Sequence, residues 1–366
     1  MASRPCKFSD TDMLALKDVV RRVGAATHIH PTSLELHAGG FNTLLGTTLS
    51  GKTTLMQLMA GLIPPTGGRI ESGGRDVTGV PVQKRNVAMV FQQFINYPNF
   101  SVFENIASPL RVARLAEAEV RRRVGRIAEL LQLTPFLERR PAELSGGQQQ
   151  RTALARALVK DAELVLLDEP LANLDYKLRE SLREELPRLF AGRDCTVVYA
   201  TTEPAEALLL GGHTATLFEG RVTQFGPNGA VYREPVDLTT ARVYSDPPIN
   251  TAQVTKDGGW IRLSDRVSWP AVGRLSALPD GAYTLGLRPH HVRPGASGQG
   301  DVHVECRVLI AEISGSESVV HFDLDGLTWV SLSHGVHGFR IGESARFGLD
   351  VARGYYFAPD GARVGG

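Results

Sequence analysis

Residues 141–175 read PAELSGGQQQRTALARALVKDAELVLLDEPLANLD, and three signals follow one another there without a gap. Leu144, Ser145, Gly146, Gly147 and Gln148 form a Ser-Gly-Gly turn that opens directly into a helix. Backbone N–H groups at a helix start have no partner within the helix and sit at its positive dipole end, so they suit a phosphate. The helix itself is expected over 149–159, with Thr152, Leu154, Ala155 and Leu158 keeping one face mostly apolar. Residues 164–167 (LVLL) are a short, wholly apolar run, the pattern of a strand buried on both faces. The run ends in Asp168-Glu169-Pro170. The carboxyl end of a buried strand is where open α/β sheets place their ligand chemistry. Asp168 is suited to holding Mg2+ there, and Glu169 to polarising an attacking water.

Upstream, Gly46, Thr47, Thr48, Leu49, Ser50, Gly51, Lys52 and Thr53 satisfy the pattern G-x-x-x-x-G-K-[ST]. Its backbone N–H groups cradle phosphates, Lys52 neutralises β/γ charge and the Thr53 hydroxyl reaches Mg2+. The context is right: residues 41–45 (FNTLL) read as a strand before the loop, and 54–60 as a helix after it. Taken together, these three motifs resemble the ATP-binding cassette (ABC) ATPases, over nearly the whole chain. The resemblance implies an ATP site built from residues 46–54, Thr54 included, with Thr53, Gln92 and Asp168 on Mg2+. Gln92 ends the apolar run NVAMVFQ, where the family's glutamine contacts the metal and the attacking water. It implies Glu169 as a catalytic residue, with position 202 contacting the γ-phosphate. Leu144, Ser145, Gly146, Gly147, Gln148 and Asp175 would complete the ATP site of a dimer partner.

The chain has 366 residues, enough for two domains with well-formed cores, and its net charge of +1 gives no general drive toward nucleic acid. Cys6, Cys195 and Cys306 match no metal spacing, and free thiols in a cytosolic protein are expected. The start MASRPCKFSD lacks the apolar core of a signal peptide, and no run approaches the roughly 18 apolar residues of a membrane span. Membrane association is therefore expected through a partner, at the cytoplasmic face.

From the start, residues 17–45 predict strand, turn, strand, because Thr32, Leu34 and Leu36 alternate with Ser33, Glu35 and His37. PPTGG (64–68) and ESGG (71–74) frame a short hairpin. Residues 115–133 predict an amphipathic helix with Val120, Val124, Ile127 and Leu131 on one face. Its arginines are interspersed with Glu117, Glu119 and Glu129, which favours a solvated face over a nucleic-acid surface. Phe94, Tyr97, Phe100 and Phe103 are expected at a subdomain joint rather than in a ligand cage. The pairs His28/His30 and His290/His291 are expected to be ordinary surface histidines. A helix over 176–190, a strand over 195–200 and a hairpin around Gly220 complete the first domain. From about 243 the texture changes to short alternating strands such as 302–310 and 318–324. LGLRPHHV (285–292) resembles a stretch in the C-terminal β-domain of maltose- and glycerol-phosphate-type importer ATPases. The expected fold is thus α/β. A P-loop nucleotide-binding domain (1–242), with a helical subdomain at about 94–160, precedes a small all-β OB-like domain (243–366).

Three departures stand out against that family. Leu49 replaces the middle glycine of the phosphate loop, where glycine admits a positive φ that costs leucine energy. Val23 occupies the place of the adenine-stacking aromatic, a contact worth about 1–3 kcal/mol in other nucleotide sites. Thr202, in Thr201-Thr202-Glu203, replaces the histidine of the usual T-H-D, and a hydroxyl reaches less far and cannot become cationic. ATP binding with poor hydrolysis at the chain's own site is expected. An intact signature beside a weakened site favours a heterodimer with a second ABC ATPase subunit over a homodimer. The other partners implied are two membrane-spanning permease subunits and, indirectly, a periplasmic or extracellular binding protein. The substrate expected is a small polyol or sugar, glycerol first. A largely non-hydrolysing regulatory subunit and a soluble ABC ATPase are the competing readings. Retention of Glu169 argues against the former. Against the second, this sequence shows neither the long coiled-coil insertion nor the second cassette usual for such proteins.

Overall fold

The computed structural model describes residues 14–172, 174–191, 195–295 and 302–365, so Cys6 and the chain start lie outside the described residues. Two compact units form, Met1–Gly229 and Ala230–Gly366.

The first unit starts with β1 (Leu14–Val23), β2 (Ala26–Glu35) and β3 (Phe41–Gly46), followed by α1 (Lys52–Ala60). The hairpin β4 (Gly67–Ser72) and β5 (Arg75–Asp76) turns on ESGG, as the sequence predicts. Next come β6 (Val87–Val90), α2 (Val102–Val112), α3 (Glu117–Leu130) and α4 (Gly146–Leu158). The unit closes with β7 (Leu164–Asp168), α5 (Tyr176–Phe190), β8 (Thr196–Thr201), α6 (Pro204–Leu210), β9 (His213–Phe218) and β10 (Arg221–Pro227). Strands β1, β2, β4 and β5 make an antiparallel sheet in the order β2-β1-β4-β5. The central sheet runs β10-β9-β3-β8-β7-β6, parallel except for the edge strand β10.

Period-two alternation explains why the central strands are apolar on both faces. Val165 and Leu167 of β7, with Val197 and Tyr199 of β8, join one core with α2, α3, α4 and α5. Leu164 and Leu166, with Val198 and Ala200, face the opposite core around α1 and the antiparallel sheet. The helical side is held by capped helices. Ser101 Oγ accepts from Glu104 N at 3.2 Å and Ser101 N donates to Glu104 Oε2 at 3.0 Å, a reciprocal cap that starts α2. Val120, Val124, Ile127 and Leu131 are all buried in that core, while on α3 Arg121 pairs with Glu117, and Arg122 and Arg123 pair with Glu119.

Two short helices precede the strands of the second unit: α7 (Asn228–Arg233), which spans the division at Gly229/Ala230, and α8 (Leu238–Val243). The composition change at 242/243 therefore falls after the division between compact units at Gly229/Ala230. The reason lies in packing: Ala241 of α8 is buried with Ile249, Tyr355 and Phe357. Arg288, only 2% exposed, donates to Tyr244 O at 2.8 Å and Tyr232 O at 2.7 Å, with the Tyr232 ring 3.9 Å away.

One sheet of this unit holds β11 (Asn250–Asp257), β12 (Trp260–Arg262), β13 (Ser268–Pro270) and β14 (Gly281–Leu287). The second holds β15 (Val292–Pro294), β16 (Val302–Ser314), β17 (Glu317–Leu324), β18 (Leu327–His334) and β19 (Ser344–Leu349). β20 (Tyr355–Phe357) and β21 (Arg363–Val364) return to the first sheet, which runs β13-β12-β11-β14-β20-β21. Every second residue of β17 is buried, and side chains of both sheets share one core around Trp269, Phe322, Trp329 and Phe347. This is the barrel-like all-β domain the sequence leads one to expect.

Candidate active site

The parallel sheet brings four strand ends together, because β8 lies between β3 and β7, and β7 lies beside β6. Leu45 is level with Thr201, and Asp168 with Ala200. The segment after β3 is the loop Gly46–Thr53. Past β7 comes Glu169, past β8 Thr202, and past β6 Gln92. Residues separated by more than a hundred positions thus share one sheet edge.

The loop's backbone is set by glycine at two points. A Cβ on Gly46 would lie 2.5 Å from Leu217 O, and one on Gly51, at φ 104°, would lie 2.9 Å from Ile29 Cδ1. Leu49 keeps the left-handed turn at φ 66°, with its side chain 96% exposed. Thus the turn survives the loss of glycine, at a steric cost and with an apolar side chain in water. Lys52, at the start of α1, is buried and donates to Gly46 O at 2.8 Å and Thr47 O at 3.0 Å. Its ammonium also lies 3.5 Å from Glu169 Oε1. Burial pushes the Lys52 pKa down from its ordinary value, opposed by the Glu169 and Asp168 carboxylates.

Thr53 Oγ1 donates to Asp168 Oδ2 at 2.7 Å, and Gln92 Nε2 donates to Glu169 Oε2 at 3.0 Å. Burial raises the Asp168 pKa, offset in part by the Thr53 hydroxyl and by Lys52. Asp168 Oδ1 and Ser50 Oγ are buried with no hydrogen-bond partner. Glu169 adopts φ 46°, a left-handed conformation that non-glycine residues rarely take and that points to a functional constraint. A buried Asp168 oxygen without a partner, on a carboxylate whose other oxygen holds the Thr53 hydroxyl, offers hard oxygen donors that fit Mg2+. A buried lysine beside an amide-rich loop fits the phosphates.

Thr202 is exposed, beyond the last residue of β8. Val23, 49% exposed, ends β1 opposite Ala26. Leu144–Gln148 lies elsewhere in the chain's own hydrogen bonding. Ser145 caps α4, accepting from Gln148 N and donating its own N–H to Gln148 Oε1 at 3.0 Å. Asp175 caps α5, accepting from Leu178 N at 3.0 Å. Among the described residues no hydrogen bond or ion pair is recorded between these groups and the phosphate loop. The aromatic run divides: Phe103 packs on the helical core, while Tyr97 and Phe100 are exposed in mutual contact at 5.4 Å, with Arg156 over Tyr97 at 4.8 Å.

A buried network behind Thr202 escaped the sequence. Glu206 of α6 accepts from Tyr199 Oη at 3.0 Å, from Thr201 Oγ1 at 2.6 Å and from Arg183 of α5. Its signal was weak: a glutamate within PAEALLL, a stretch otherwise apolar enough to pack inward.

Fold and site together define a P-loop nucleotide-binding protein. Residues 29–172 match the ABC transporter family and residues 285–357 the TOBE domain. A relative from Rhizobium johnstonii, described as an sn-glycerol-3-phosphate import ATP-binding protein, is 35% identical over 96% of this chain and 95% of its own length. A trehalose/maltose import ATP-binding protein from Thermococcus litoralis is 36% identical over 92% of this chain and 93% of its own. A solved dimeric ATP-binding cassette with ADP and Pi is 28% identical, covering 59% of this chain and 99% of its own, at TM-score 0.54. The chain belongs to the ABC transporter ATP-binding family, among the import ATP-binding subunits of the maltose/glycerol-phosphate type. It is an ATP-binding subunit and ATP hydrolase of a transporter. No helix among the described residues is long and apolar enough to cross a membrane.

Proposed function

We propose that this subunit drives uptake of a small polyol or sugar, glycerol or its phosphate first, as one half of a heterodimer whose own ATP site is weakened. The observation that carries the asymmetry is the set Leu49, Val23 and Thr202 at one site, beside an unaltered Leu144–Gln148 signature. The printed names of the relatives support the substrate class. In this reading Gly46, Thr47, Thr48, Ser50, Gly51 and Thr54 line the phosphates with Leu49 at the turn. The chain sits at the cytoplasmic face of the membrane through two permease subunits, fed by an external binding protein.

Thr53, Asp168 and Gln92 would hold Mg2+, which when bound supplies positive charge to the phosphate oxygens. Lys52, now shared between two loop carbonyls and Glu169, is the group a γ-phosphate would recruit. Its departure leaves Glu169 oriented by Gln92 alone, with a free oxygen to accept a proton from water. At position 202 a threonine hydroxyl offers one hydrogen bond where an imidazole would offer a longer reach.

Hydrolysis by the chain alone, by the chain with permeases, and with a second cassette added, tests this reading. Turnover is expected only in the last assembly. There, Ser145→Arg should cost more than Lys52→Ala, because it fills the partner's site. With the partner's catalytic carboxylate removed, Thr202→His should raise the remaining rate, by less than the roughly 100-fold that one transition-state donor can supply. Brisk hydrolysis by the chain with permeases and no second cassette, abolished by Glu169→Gln, would overturn the heterodimer.

A further inference from the structure

One departure from the family pattern has no role in the site so far: the glutamate at 203, where the usual motif ends in aspartate. Its carboxylate is shared between two arginines of α5. Arg179 Nη1 donates to Glu203 Oε1 at 3.3 Å, and Arg183 Nη2 donates to Glu203 Oε2. Arg179 also donates through Nη2 to Ala172 O at 3.1 Å and to Leu174 O at 3.3 Å. Those carbonyls belong to the turn that leaves Glu169, since Ala172 N donates to Glu169 O at 3.3 Å.

Arg179 is an unexpected cation at that place. It lies in the first turn of α5, its amide donating to Asp175 O at 2.9 Å, where the helix dipole disfavours positive charge. Its Nε is buried with no hydrogen-bond partner, so the side chain is held only through its two terminal nitrogens. Both point away from its own helix, one to the turn after β7 and one to the residue after Thr202. On the other side Glu203 is fixed through its backbone, its N–H donating to Thr201 Oγ1 at 3.0 Å. Thr201 Oγ1 donates in turn to the buried Glu206.

We propose that Arg179 is a positioning residue for hydrolysis, locking the turn that carries Glu169 to the strand end that carries Thr202 through Glu203. The side chain spans the gap beyond the last backbone link between the two strand ends, where Glu169 N donates to Ala200 O at 3.0 Å. Glutamate has one methylene more than aspartate, and its carboxylate meets both Arg179 and Arg183 of α5. The proposal rests on Glu169 and position 202 acting in this chain's own site.

The test uses the assembled transporter with the partner cassette's catalytic carboxylate removed, so that the remaining hydrolysis belongs to this chain. Arg179→Lys, Glu203→Gln, Glu203→Asp and the double variant Arg179→Lys with Glu203→Gln are compared for kcat, KM for Mg-ATP and melting temperature. Arg179→Lys and Glu203→Gln should each lower kcat about tenfold with KM within about twofold, and the double variant should be no worse than either. Glu203→Asp should fall between Glu203→Gln and the parent. Additive losses, a rise in KM at constant kcat, or a fall in kcat matched by a lower melting temperature would each overturn the role. Glu169→Gln separates the two layers of inference. If it leaves the rate unchanged, the site assignment fails and the positioning role with it. If it abolishes the rate while Arg179→Lys stays fully active, only the positioning role fails.

Discussion

The Thr53 hydroxyl and the Asp168 carboxylate meet at 2.7 Å, tying the first turn of α1 to the end of β7, while Asp168 Oδ1 stays buried without a partner. Such a half-satisfied carboxylate is costly in the nucleotide-free protein, since burial opposes its ionisation. Its raised pKa means that the folded chain binds a proton more tightly than the unfolded chain. The Asp168 contribution to stability is therefore full below the ordinary 3.8 and is lost as pH rises through the raised value.

From this the variant Asp168→Asn should melt at pH 7 no lower than the parent in the absence of nucleotide and metal. ATP affinity in EDTA should change by less than about twofold, whereas the gain on adding Mg2+ should disappear and hydrolysis fall by about 100-fold or more. Calorimetric titration with and without Mg2+ reads this. An undiminished Mg2+ effect would remove Asp168 from the metal site.

Leu49 gives a prediction of opposite sign for two substitutions. Leu49→Gly relieves the left-handed backbone at φ 66° and removes an exposed apolar side chain. Set against the entropy that glycine loses on folding, the net gain should be about 0.5–1 kcal/mol, raising the melting temperature by about 1–3 °C. Leu49→Ile puts a branched Cβ at the same φ and should lower it. Thermal melts of the two variants decide the matter, and a loss of stability with glycine would show that Leu49 has a contact worth more than its strain.

The histidine pair of the β-domain makes stability depend on acid. His290 and His291 stack edge to face at 4.2 Å, and His291 Nδ1 is buried with no hydrogen-bond partner. Burial, then the neighbouring His290, pushes the His291 pKa down from 6.5 to about 4, with Arg353 and Arg288 adding to the effect and Asp350 opposing it. The unfolded chain thus binds the proton more readily at this position, so the His291 contribution to stability is full above 6.5 and is lost as pH falls toward 4. His291→Phe should flatten that decline, compared by melting of the β-domain between pH 7 and 4.5. Parallel curves for parent and variant would exclude His291 as its source.

How legible the molecule was depends on the range of the interaction. The strands of the central sheet could be read because their apolar runs answer to two faces at once, and α5 follows from its own periodicity over Tyr176–Phe190. The loop 46–53 and the Asp168-Glu169 pair at the end of β7 could be picked out because each follows a short apolar run that the structure forms as a strand. α2 was missed although Ser101 and Glu104 stand at the spacing of a reciprocal cap, a local signal hidden by the aromatics before it. The clamp of Arg179, Arg183, Glu203 and Glu206 left no comparable mark. Its members lie on different elements, and charged residues at helical spacing look the same whether they face water or each other.

Arg288 bears on how this molecule can be recombined. Its guanidinium draws one carbonyl from α7 and one from Tyr244, the residue that ends α8. A graft that began at 243, where the composition changes, would keep the acceptor on Tyr244 and leave the one on Tyr232 behind. The transplanted barrel would then carry an interior cation missing half of its ligands. A crossover placed at 230 transfers the arginine, both acceptors and the Tyr232 ring as one heritable piece. The seam along which such a chain can be exchanged between relatives is thus set by a single buried side chain.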